Sequence, residues 1–176
     1  MISKEEMLET VKKQLAIDYN CDVGDFDKDG IIITEAVKQE GRRKLPFLKP
    51  RCEVVTMGNG AVVNASKDIL PFVKKKLKGK TRYDALNAPF VYGVCPYFLP
   101  DIDNLKPIEN NHTFEYKVIV QTEIHSLYKY KGLTNALQYN EESLTPEILA
   151  VAAFDCGKLV GIACAAKDSE KMCQIG

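Results

Sequence analysis

Four prolines, Pro89, Pro96, Pro100 and Pro107, fall within residues 87–107. Each fixes φ and removes a backbone donor, so this stretch can neither continue a helix nor sit inside a sheet. A chain of 176 residues is long enough for one ordinary domain or two small ones. The proline-bounded stretch selects the second arrangement. The chain is read as an N-terminal module, residues 1–108, and a C-terminal module, residues 109–176. The linker between them holds only a short apolar strand at residues 90–94.

The N-terminal module opens on a capping box, Ser3 followed by Glu6. Met7, Leu8, Val11 and Leu15 then form a one-sided apolar stripe, with Lys12, Lys13 and Gln14 turned to water. The helix is expected to end near Asn20. A strand at residues 31–34 follows a Gly/Asp loop. Residues 41–50 are basic and proline-bounded, hence a loop. Two apolar runs, 52–57 and 61–65, flank Gly58-Asn59-Gly60, and Asn-Gly between strands signals a hairpin. Ser66 is expected to cap a helix running to about residue 77, with Pro71 one turn in and Gly79 at its end. Thr81 caps one further helical turn, residues 81–86.

Beyond Pro107 the pattern changes. Residues 114–120 alternate as a strand. Thr122 is expected to cap a helix reaching Tyr128, and a second short helix is expected over residues 133–138. Residues 148–154 and 158–166 are strands joined by the turn Asp155-Cys156-Gly157. A third begins at residues 171–176. Short connections make the last three antiparallel neighbours. The fold class is α+β.

Composition narrows the function. Lys plus Arg and Asp plus Glu are 24 each, giving no net charge. That removes the footprint of a general nucleic-acid binder and of a polybasic membrane-surface protein. The N-terminus carries Ser3, Lys4, Glu5 and Glu6 with no apolar core behind them, so a cytoplasmic location is expected. Six cysteines show no C-x-x-C pair and no histidine at ligand spacing. They are expected to be free thiols in a reducing compartment, with no metal. Residues 25–30 have the form D-x-D-x-D-G, the front of a calcium loop. Its twelfth position, which should supply a bidentate Glu, is Ala36, and residues 31–34 are a strand. A polar turn is expected there, with Gly30 at positive φ.

The hairpin Leu149-Ala150-Val151-Ala152-Ala153-Phe154-Asp155-Cys156-Gly157-Lys158-Leu159-Val160-Gly161-Ile162-Ala163 is the informative piece. An apolar strand, an acidic-glycine turn, then Lys-Leu-Val-Gly and small residues resembles the second and third strands of GNAT-type N-acyltransferases. The strand at 114–120 and the helices after it are similar to that family's opening, and Met172-Cys173-Gln174-Ile175-Gly176 to the entry into its fourth strand. Residues 1–108 resemble the extra domain that some bacterial members carry. The resemblance implies an incomplete GNAT-like mixed sheet with flanking helices, preceded by a small helix–β-hairpin–helix module. It implies acyl transfer from acetyl-CoA, as co-substrate, to a small-molecule or peptide amine. The family grips the CoA pyrophosphate with an R/Q-x-x-G-x-G/A loop after the fourth strand. No such loop stands in residues 1–176, so no residue here is assigned to the cofactor, and these residues alone are expected to be inactive.

The resemblance places the segment after the first strand at the acceptor side, bringing Tyr128, Tyr130, Asn135, Gln138 and Tyr139 into view. The tyrosines equally suit packing with a wet hydroxyl. His125 lies on the expected helix, two residues from Glu123 and therefore on another face. His112 has no evident partner, and no catalytic base is assigned. Lys74, Lys75, Lys76, Lys78 and Lys80 sit where cations complement a helix C-terminus. A function of another class also suits the sequence: a non-catalytic module that recruits a partner, or a second copy, through the open strand edge at residues 171–176.

Overall fold

The computed structural model describes residues 2–44, 47–106, 109 and 112–176. The fold is α+β, and the chain divides into two units, Met1–Asp103 and Asn104–Gly176. Pro107, and residues 45 and 46 of the expected 41–50 loop, lie outside the described residues.

In the first unit, α1 (Lys4–Tyr19) starts on the reciprocal Ser3–Glu6 box and ends at Asn20, whose φ of 50° is left-handed. Asn accepts that conformation more readily than most residues. Only the second half of α1 is buried. Leu15 and Ala16 enter the core, and so does Gln14, which the apolar stripe assigns to water. The Gln14 amide is used inside, donating to Asp18 Oδ1 and to the Gly41 carbonyl.

Strands β1 (Ile31–Glu35), β2 (Cys52–Val55) and β3 (Ala61–Ala65) form a mixed sheet in the order β1-β3-β2. β2 and β3 are the hairpin, and β1 lies parallel to β3 with Ile31 opposite Ala61. β3 is therefore central and buried along its whole length. Its alternation divides the core. Val63 and Ala65 pack toward Val73 and Leu77 of α2 (Leu70–Leu77) and Ala85 of α3 (Arg82–Leu86). Val62 packs toward Leu15 and Ala16 of α1 and toward Phe26. Each such buried valine contributes about 1.5–3 kcal/mol.

Gly60 shows why this hairpin ends as it does. The Lys28–Gly30 backbone lies against it, and the Ala61 amide donates to the Gly30 carbonyl at 2.9 Å. A Cβ on Gly60 would stand 2.1 Å from the Lys28 oxygen. The residue is glycine because another backbone approaches it.

Two expectations are corrected in this unit. Ser66 does not cap α2, which begins at Leu70 with no side-chain cap. Its hydroxyl accepts from the Arg51 amide, and its carbonyl takes the Ile69 and Leu70 amides in a tight turn. Thr81, by contrast, does form a capping box with Asp84. Residues 90–94 form no strand: Tyr92 and Val94 are exposed and Gly93 has a φ of 72°. An apolar run becomes a strand only where a ladder accepts it, and this one joins neither sheet.

The second unit is an antiparallel meander, β4 (Glu115–Val120), β5 (Glu147–Asp155), β6 (Lys158–Lys167) and β7 (Cys173–Ile175), in that order across the sheet. The mixed sheet of the chain is thus the first one. Cys156 and Gly157 both have positive φ, 46° and 79°, as a two-residue turn between twisted strands requires. One face of the meander carries Ile119, Ala150, Ala152 and Cys164, covered by Ile124, Leu127 and Leu137. The other carries Val118, Val120, Leu149 and Val151, all exposed. The flanking helices differ from expectation in kind. Gln121–Leu127 is a 3-10 helix opening on Val120, with no cap from Thr122. Residues 133–138 give a single turn, closed by the Leu133 carbonyl. Ile124, Leu127 and Leu137 are buried without regular α-helix, and segments this short depend on packing more than on propensity.

Candidate functional site

Polar groups of the segment between β4 and β5 converge on Glu147. This residue opens β5 and is 4% exposed. Its position is set from both sides: Pro146 holds the Lys167 amide, and the strand ladder begins with Glu147 opposite Ala166. A carboxylate so placed needs donors. Tyr128 supplies one, its hydroxyl 3.1 Å from Oε2, and the Gln138 amide supplies another, 2.6 Å from Oε1. Burial, and after it the charge of Glu147, push the Tyr128 phenol up to about 12. The same two causes raise the Cys164 thiol to about 11. Its Sγ donates to the Leu149 carbonyl.

A ring cluster surrounds Tyr128. The rings of His125 and Tyr139 each lie 5.4 Å from it, centroid to centroid. Tyr139 is fixed through its hydroxyl, which donates to the Tyr130 carbonyl and accepts from the Leu133 amide. The Gln138 side chain closes the following loop, donating to the Thr145 carbonyl and accepting from Ser143. Lys129 and Lys131 lie over the rings of Tyr130 and Tyr139, each at 5.0 Å.

Tyr128, Tyr130, Gln138 and Tyr139 are therefore brought into one neighbourhood. Asn135 is not: it is exposed on the 133–137 turn, and its carbonyl faces the backbone of Gly176. His125 points outward, with Glu141 3.9 Å from its Nδ1. His112 is exposed. Glu147 was missed in the sequence. The available signal was an acidic residue, behind a proline, at the mouth of an apolar run. A buried carboxylate joined to a half-buried phenol can hold a cation or pass a proton through the hydroxyl.

The front of the D-x-D-x-D-G segment lies in a 3-10 helix, Val23–Asp27, and two of its three carboxylates have other partners. Asp25 accepts from the Asp22 amide and from Lys28, which draws its carboxyl below the ordinary range, and Asp27 pairs with Lys12. Among the described residues no group of three His, Cys, Asp or Glu is placed to hold a metal, and no helix is long and apolar enough to cross a membrane. Lys74, Lys75 and Lys76 are exposed in the last turn of α2. Phe72, Lys76, Tyr83 and Phe90 line a depression of about 480 Å³ beside them.

A CoA pyrophosphate requires amides at a helix N-terminus. The described residues of the second unit contain no α-helix, and the 3-10 helix there lacks a side-chain cap. The chain matches no protein-family model, no curated protein and no solved structure.

Proposed function

We propose that the second unit is the acceptor side of a GNAT-type N-acyltransferase, acting from acyl-CoA on an amine. One observation supports it above others. The strands of that resemblance stand in the expected order as one antiparallel meander, with a 3-10 helix and a single turn where two helices were expected. The segment expected at the acceptor side converges there on the buried Glu147. In this reading Glu147 and the Tyr128 hydroxyl hold the acceptor ammonium and receive its proton. No step through the cofactor is assigned to these residues.

The test is thiol release from acetyl-CoA with a panel of primary amines, using the gene product that carries these residues. Turnover that falls at least about tenfold in Glu147→Gln, mainly through the amine KM, is expected. No turnover with any amine refutes the proposal. Calorimetry of residues 1–176 with acetyl-CoA is expected to show no binding, and micromolar affinity overturns the assignment of the cofactor grip elsewhere.

A non-catalytic alternative draws on β7. It bonds β6 on one side, its residues are exposed, and no strand among the described residues covers its other edge. Such an edge templates pairing with a second copy. Sedimentation showing a strict monomer at high concentration counts against it.

A further inference from the structure

A second concentration of charge lies in the first unit, around the end of α2. Residues 66–90 hold seven lysines and arginines but only two acids, Asp68 and Asp84, in a chain without net charge. All seven cations are exposed, and none has a carboxylate at ion-pair distance among the described residues. A helix C-terminus carries the equivalent of about half a negative charge, so the end of α2 alone leaves most of this charge unbalanced.

The depression of about 480 Å³ opens beside them, and Lys76 and Lys80 are among its lining residues. Phe72, Tyr83 and Phe90 bring three rings to it, with Phe72 48% and Tyr83 74% exposed. The one acid there, Asp84, is committed to the cap of α3: its Oδ2 accepts from the Thr81 amide and hydroxyl, each at 2.8 Å. The rings wall one hollow and do not offer a row of free faces. Phe72 and Phe90 meet edge to face, centroids 5.6 Å apart, and Lys76 Nζ stands over the Phe72 ring at 5.7 Å. A nucleic-acid strand requires successive faces on which its bases stack. Lys75 and Lys78 adjoin the hollow in the chain but do not line it, so a small anion inside it leaves them unmatched.

We propose that this corner of the first unit docks an acidic peptide segment of another protein, one bulky apolar side chain seated among Phe72, Tyr83 and Phe90 and the carboxylates on either side of it meeting Lys75, Lys76 and Lys80. The anchor carries most of the affinity, because burying one large apolar side chain is worth more than an exposed ion pair. The lysines steer the encounter and reject segments of the wrong charge.

The experiment titrates the full chain into fluorescein-labelled, capped pentapeptides with two glutamates on each side of a tryptophan, and follows anisotropy. Saturable binding is expected, weakening as sodium chloride is raised. Serine in place of the tryptophan is expected to lower affinity at least about tenfold, the size of one buried ring. Lys76→Gln with Lys80→Gln lowers it about fivefold, the size of two exposed ion pairs. Lys4→Gln with Lys13→Gln, the same change of charge on α1, leaves it intact. Tyr83→Ser brings the tryptophan peptide toward the level of the serine peptide. All five positions are exposed, so thermal midpoints stay unchanged and the variants report on binding alone. An absence of saturable binding overturns the proposal. So does equal affinity for the tryptophan and serine peptides, or binding that survives the Lys76 and Lys80 substitutions. Tighter binding of oligothymidylate or of phosphatidylserine vesicles overturns it as well, and assigns the corner to a strand or a membrane.

Discussion

Gly60→Ala adds one methyl where two backbones meet. Its Cβ would lie 2.1 Å from the Lys28 oxygen and 2.9 Å from the Gly30 oxygen, and neither is a side-chain end that can swing aside. The 28–30 backbone must retreat by about 1 Å or more to reach ordinary contact. The Ala61–Gly30 hydrogen bond at 2.9 Å cannot survive that retreat. Overpacking of this kind costs about 1–3 kcal/mol. The lost hydrogen bond adds about 1 kcal/mol, so destabilisation of about 2–4 kcal/mol is expected. For a unit of roughly 100 residues this lowers the midpoint by about 10–20 °C. Differential scanning calorimetry measures it. Gly24→Ala is the control, because a Cβ there meets nothing within 4 Å and its backbone is not left-handed; a change within about 0.5 kcal/mol is expected. A Gly60→Ala midpoint indistinguishable from that of Gly24→Ala refutes the close-approach account.

Asp18→Ala removes the carboxylate that accepts from both the Nε and the amide of Arg43, the two side chains being 4% and 5% exposed. Urea denaturation is expected to show a loss of about 3–5 kcal/mol, while Asp27→Ala, which breaks a pair whose carboxylate is 64% exposed, costs under about 1 kcal/mol. Equal losses contradict the difference in burial. Thiol reactivity is expected to split evenly: Cys95, Cys156 and Cys173 are exposed, whereas burial raises the thiols of Cys21, Cys52 and Cys164 and keeps them protonated as pH rises through the usual thiol range. A disulfide-exchange reagent at pH 8 should count three fast and three slow thiols, merging to six fast ones in denaturant. Rapid reaction of Cys164 in the native chain argues against its placement.

Local signals located most of the elements. The Ser3–Glu6 box, Asn20, Asn59-Gly60 and the Cys156-Gly157 turn each act within four or five residues, and each stands where the pattern puts it. What escaped is long-range. The Ser66 hydroxyl looked like a helix cap, but the Arg51 amide, fifteen residues earlier and just ahead of β2, holds it. Gln14 looked solvated because its partners, Asp18 apart, lie in a loop beyond β1. The parallel placement of β1 beside β3 leaves no local trace at all. At the candidate site, Tyr128, Gln138 and Tyr139 were found through the resemblance. Glu147 was not, since the donors that neutralise it come from positions 128 and 138 and a sequence pattern shows none of them meeting.

The two sheets differ in whether their strands pair in the order of the sequence. In the meander each strand pairs with its neighbour in sequence, and β5 meets β6 across two residues. In the first unit β1 must find β3 from thirty positions away, Ile31 against Ala61, with β2 already in place on the far side. Closing that gap comes before any ladder bond repays it, so pairing of this kind is slow. The hairpin of β2 and β3 can form first and wait with one edge bare. β1 then arrives carrying α1, whose seat on Val62 exists only once β3 is central. During synthesis or refolding, the bare edge of β3 is the interval in which this chain is most open to the wrong strand.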